Sequence, residues 1–104
     1  MGGNLLKVDD MKIEMDVKPV FLADVALLAD LQRLPQIAEQ LIHMNEVYAL
    51  YVTTGTSNLR ARITGQNIAD LHRIVNSKVG SIQGLNVMST NLITEVIKEN
   101  AIPK

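Results

Sequence analysis

Two strand–helix–strand units joined by a glycine turn predict an α+β domain of the split βαβ kind. Its single antiparallel sheet would carry both helices on one face. Three observations lead there. Val47-Tyr48-Ala49-Leu50-Tyr51-Val52 and Leu59-Arg60-Ala61-Arg62-Ile63 read as strands on either side of the polar link Thr53-Thr54-Gly55-Thr56-Ser57-Asn58. Each half of the chain holds a helical stripe, a short break and then a β-rich run. Finally, 104 residues leave room for one hydrophobic core and no second.

The elements follow in order. Met11, Ile13, Met15 and Val17 alternate with Lys12, Glu14, Asp16 and Lys18, the period of a strand with one wet face. Pro19 ends its pairing, because proline brings no N–H to a ladder. Val20 to Ala29 is apolar apart from Asp24 and reads as a strand buried on both faces. The rival reading is a helix, since Phe21, Val25 and Leu28 fall near helical spacing. The strand is preferred because the helix signal comes later: Pro35 suits a first turn, and Leu34, Ile37, Ala38, Leu41 and Ile42 form a 3.6-period stripe fading near His43. A strand is expected from Val47 to Thr53 and another from Asn58 to Thr64. Gly65-Gln66-Asn67 then caps a second helix with the stripe Ile68, Leu71, Ile74, Val75 and Val79. After Gly80-Ser81-Ile82-Gln83-Gly84, a last strand runs from Leu85 to about Ile97.

If Leu59, Ala61 and Ile63 face the helices, Asn58, Arg60, Arg62 and Thr64 face away. Tyr48, Leu50 and Val52 alternate with Val47, Ala49 and Tyr51, so both faces of that strand are apolar, and Tyr48 and Tyr51 are expected on opposite faces. With both helices on one side, the other face of the sheet would be an exposed apolar patch. Stacking two copies across a two-fold axis would hide it, so a homodimer through the sheet is expected. The 47% hydrophobic content, with only 3% aromatic residues, points the same way.

Composition excludes several classes. A net charge of −1 argues against this chain gripping nucleic acid by itself, since phosphate binding shows as a basic stripe. No apolar run is long enough to span a membrane, and nothing resembles a cleavable signal. Without cysteine there is no disulfide framework and no thiolate metal or redox chemistry, which suits the cytoplasm.

Thr53, Thr54, Gly55, Thr56, Ser57 and Asn58 are the one cluster whose amides, hydroxyls and side-chain amide suit a small polar molecule; the plain alternative is a hairpin chosen for its backbone angles. His43 and His72 have no Asp or Glu partners at ligand spacing, so no metal, cofactor or catalytic residue is expected. Arg60 and Arg62 read as solvated or dimer-edge charges.

From Val20 to Lys98 the chain resembles the effector-binding (RAM) domain of Lrp/AsnC-type transcription regulators. The resemblance rests on an ordered set: Leu34-Pro35-Gln36-Ile37-Ala38-Glu39-Gln40-Leu41, then Val47, Val52-Thr53-Thr54-Gly55 and Asn58-Leu59, then Leu71, Gly84-Leu85, Thr90 and Lys98. It implies a ferredoxin-like βαββαβ domain that dimerises through its sheet and assembles further as a set of dimers. It also implies a small effector, an amino acid, bound near the turn at Thr53–Asn58. Two features depart from the family. Its turn often carries acids where this chain has Thr56 and Asn58, which offer only neutral hydrogen bonds. Its regulators carry an N-terminal helix-turn-helix for which this chain has no room, so DNA contact is expected only through such a domain absent from this chain.

The expected organisation is an arm with a linking strand over 1–18, the RAM domain over 19–98 and a tail over 99–104. Two other readings stay open. One is a small cofactor-free enzyme of the dimeric α/β-barrel type, in which Asp24 would sit in a polar pocket between sheet and helices. The other is an oligomerisation module with no ligand.

Overall fold

In the computed structural model of the chain, Val20 to Glu99 are the described residues; the strand expected over Met11–Val17 lies outside them. Four strands, β1 (Phe21–Ala29), β2 (Val47–Val52), β3 (Leu59–Gly65) and β4 (Leu85–Ile93), form one sheet in the order β2-β3-β1-β4. Every neighbouring pair is antiparallel. Helix α1 (Leu34–Ile42), entered through a 3-10 turn at Leu31–Arg33, links β1 to β2; α2 (Ile68–Arg73) continues as a π-turn over Ile74–Val79 and links β3 to β4. This is the ferredoxin-like α+β plan.

The segment with two readings is a strand. β1 lies between β3 and β4, and its Ala23, Val25, Leu27 and Ala29 are buried beneath the helices. Ile37 and Leu41, one turn apart on α1, close over them, with Leu71, Ile74, Val75 and Val79 from the second helix. Asn67 caps α2: its Oδ1 accepts the Asp70 N–H at 2.7 Å, while Asp70 accepts the Gln66 N–H at 3.0 Å. The π-turn was not foreseen. At 3.6 residues per turn Ile74 and Val79 would lie about 140° apart around the axis. The wider turn, closed by the Gly80 N–H on the Val75 carbonyl at 2.8 Å, brings both into the core.

Leu59, Ala61 and Ile63 face the helices and are fully buried, while Arg60, Arg62 and Thr64 lie on the other face. That face is open, as expected, but less oily than the sequence suggested. Register places Leu22, Asp24, Ala26 and Leu28 of β1 beside Arg60, Arg62 and Thr64 of β3 and Asn86, Ser89, Asn91 and Ile93 of β4. Leu50 and Val47, counted on both faces in the sequence, pack against the core. Arg60 Nε donates to the Asp24 carboxylate of its own chain at 3.1 Å.

The tyrosines also correct an expectation. An irregularity in the β2–β3 pairing shifts the register between Val47 and Ala49, so Tyr48 is an extra residue and the alternation slips by one. Tyr48 and Tyr51 therefore both stand on the open face, about half exposed, with the Arg62 guanidinium 6.0 Å from the Tyr51 ring. β4 stops at Ile93 rather than Ile97, and its last pair with β1 among the described residues is Ile93 with Leu22. Residues 94–99 instead run across the open face: Glu95 to Glu99 line a cavity of about 540 Å³ with Leu22, Asp24, Tyr48, Tyr51 and Arg62. Glu99 Oε2 comes within 3.9 Å of Arg62 Nη1.

Candidate functional site

The turn between β2 and β3 is closed at its base by the Thr53 N–H on the Asn58 carbonyl at 3.0 Å, and the Thr53 hydroxyl donates to the Ser57 carbonyl at 3.1 Å. Gly55 takes φ +107°, a left-handed conformation that side-chain-bearing residues rarely adopt, and nothing lies within 4 Å of where its Cβ would be. The loop therefore needs glycine for its backbone angle, and the space above it is free.

The six residues expected at the site divide into two groups. Asn58, Ser57 and Thr53 are structural in their visible contacts. Asn58 Oδ1 accepts the Ala29 N–H at 2.8 Å and its Nδ2 donates to the Ala29 carbonyl at 2.9 Å, so the amide is committed at both ends. Ser57 is buried. Thr54, Gly55 and Thr56 are exposed at the tip.

Gly55 and Asn58 border an open cavity of about 640 Å³, whose wall is completed by Leu28 and Ala29 at the end of β1, by Asp30 and Leu31 just after it, and by Gly84, Leu85 and Asn86 at the start of β4. Sequence reading missed Asp30 and Asn86, because Asp30 reaches the turn only through the β1–β3 pairing and Asn86 only through the β1–β4 pairing. The local signal at Asp30 was its place as the first polar residue after an apolar strand. Its Oδ1 accepts the Gln32 N–H at 3.1 Å, capping the 3-10 turn, and its backbone N–H donates to the Gly84 carbonyl at 2.8 Å. Gly84 takes φ +84°, and a Cβ there would meet Arg33 Cδ at 2.7 Å.

The shifted acids lie at the other end of the sheet. The Glu46 carboxyl is held below its ordinary range, first by the hydrogen bond from Lys78 at 2.6 Å. The Asp70 carboxyl is lowered by the Gln66 N–H and then by Arg73. His43 Nδ1 lies 2.8 Å from the Glu39 carbonyl on an exposed helix end, and among the described residues no three His, Cys, Asp or Glu side chains gather as a metal site. Asp24 faces away from the helices, not into a pocket beneath them.

Comparison with known proteins agrees with this fold. The family profile of the Lrp/AsnC ligand binding domain matches residues 23–103. An HTH-type transcriptional regulator of Pyrococcus furiosus, itself uncharacterized, is 27% identical over 77 residues, covering 74% of this chain and 52% of the relative. A Pyrococcus abyssi counterpart gives the same identity and covers 49% of its own length, so the chain spans about half the length of the curated relatives it matches. Among solved structures, E. coli AsnC superposes with a TM-score of 0.66 at 18% identity, covering 93% of this chain and 74% of AsnC. A Neisseria meningitidis transcriptional regulator in complex with L-Met gives a TM-score of 0.73 at 14% identity, covering 80% of this chain and 56% of that one. These likenesses carry the fold, and the profile match carries the kinship: the chain belongs to the Lrp/AsnC family, as its ligand-binding domain.

Proposed function

We propose that this domain senses a small molecule, an amino acid, at the Thr53–Asn58 turn and passes the signal on through its assembly. The carrying observation is the division of labour in the turn. Asn58 anchors it to β1, while Gly55 borders an open cavity and its neighbours Thr54 and Thr56 are exposed at the tip. Family membership and the L-Met complex of the N. meningitidis relative support the ligand class.

The open sheet face is the surface through which two copies would pair, and the dimers would assemble further. An effector held where copies meet favours one assembly, and a coupling of roughly 1–3 kcal/mol is enough to switch occupancy several-fold. DNA would be reached through a helix-turn-helix elsewhere in the whole regulator, in the cytoplasm. Among the described residues no helix is long and apolar enough to cross a membrane.

Light scattering and thermal shift on the chain, with a panel of amino acids, test this. A dimer or larger species whose melting temperature rises with one of the amino acids is the expected result. A monomer at every concentration that no amino acid stabilises would overturn it. The enzyme reading has less support, because Asp24 lies on the opposite face from the helices and is bound to Arg60.

A further inference from the structure

The cavity beside the turn is walled by aliphatic side chains, amides and backbone, and among the described residues Asp30 is its single ionisable lining residue. We propose that Asp30 selects the ligand: a small molecule with a primary ammonium head and a short aliphatic stem. This rests on the reading that the cavity beside the turn is the effector site.

The turn itself has no charge to offer. Both ends of the Asn58 amide are spent on Ala29, the Thr53 hydroxyl on Ser57, and the exposed tip is neutral. Asp30 differs on each count. Its backbone is held on both sides, by its N–H on the Gly84 carbonyl at 2.8 Å and by its carbonyl under the Arg33 N–H at 2.9 Å. Its Oδ1 accepts from Gln32, whereas Oδ2 is 4.0 Å from Arg33 Nε, too far for a hydrogen bond. Asp30 thus lines the cavity with one carboxylate oxygen that has only a loose cation beside it. Leu28 and Leu31 flank it and are partly exposed, giving an aliphatic surface next to a fixed negative charge. An ammonium fits that oxygen and a hydrocarbon stem fits its flanks. In an amino acid the carboxylate would then turn away from Asp30, toward the neutral donors of the tip. The same charge rejects a ligand that presents only an acid.

Three probes sharing one skeleton test this by thermal shift and equilibrium binding: leucine, isoamylamine, which lacks the carboxylate, and 2-hydroxyisocaproate, which lacks the ammonium. Leucine and isoamylamine should bind the native chain and the hydroxy acid should not. Asp30→Asn keeps a capping side chain of the same size, so the fold should survive while affinity for both amines falls about tenfold or more, as expected for loss of a charged hydrogen bond. Arg33→Gln removes the competing cation and should tighten both, which keeps the test open if Asp30→Asn fails to fold. Equal binding of the hydroxy acid, or amine binding unchanged in Asp30→Asn, would overturn the role of Asp30 while leaving the effector site standing. If neither these probes nor any amino acid binds, the effector reading itself falls, and the role of Asp30 with it.

Discussion

The side chain of Asn58 pairs with both backbone groups of Ala29, accepting its N–H at 2.8 Å and donating to its carbonyl at 2.9 Å. It extends the β1–β3 ladder past its last backbone pair, Leu27 with Leu59, to Ala29 two residues on, next to the Asn58 N–H on the Leu27 carbonyl. An amide can do this because it carries a donor and an acceptor side by side; a carboxylate carries only acceptors. Asn58→Ala should therefore cost about 1–3 kcal/mol, from two backbone groups left partly unpaired. Asn58→Asp should also destabilise, because it sets an acceptor against the Ala29 carbonyl. Urea titration of the two variants checks both, and an unchanged midpoint for Asp would refute the pairing.

The two left-handed glycines should respond unequally to alanine. At Gly55 the added methyl meets open space, so only backbone strain is felt, about 1 kcal/mol or somewhat more. At Gly84 the methyl also meets Arg33 Cδ at 2.7 Å, next to the carbonyl that holds Asp30. Thermal melts should rank Gly84→Ala below Gly55→Ala, and the reverse order would contradict the geometry.

Neighbours on β3 should differ sharply. Leu59 is fully buried against the helices, and Leu59→Ala should cost about 2–5 kcal/mol. Arg60 faces the other way in a partly exposed pair with Asp24, and Arg60→Ala should cost less than about 1 kcal/mol, with a loss that shrinks in salt.

Acid should expose the contribution of Glu46. Its carboxyl titrates lower in the folded chain than in the unfolded one because Lys78 donates to the charged form. The stabilisation is therefore fully present above the unfolded glutamate value of about 4.3 and is lost as pH falls through the lower folded value. Lys78→Met should flatten that part of the stability-against-pH curve. A slope identical to the native chain's would show that Lys78 is not the cause.

Element types were legible wherever side-chain period alone decides them. The alternation of Leu59, Ala61 and Ile63 and the stripe through Ile37 and Leu41 stand in the structure as they read in the sequence. The glycine turn was legible too, because its backbone angle needs glycine. What escaped depends on pairing between distant segments. The extra residue at Tyr48 is defined only against β3, the end of β4 only against β1, and the place of Asp30 beside the turn only once β1 pairs with β3. The π-turn escaped for a different reason: the sequence 74–79 satisfies a regular helical stripe nearly as well.

The slip in β2 carries a practical benefit. The chain has two tyrosines and no tryptophan, and the bulge sets both phenols on the same side of the sheet. Its ultraviolet emission is consequently a built-in optical label for that one surface, where residues 94–99 now rest. The departure of this strap, or the arrival of a neighbouring molecule in its place, can be followed by light alone, without attaching a dye.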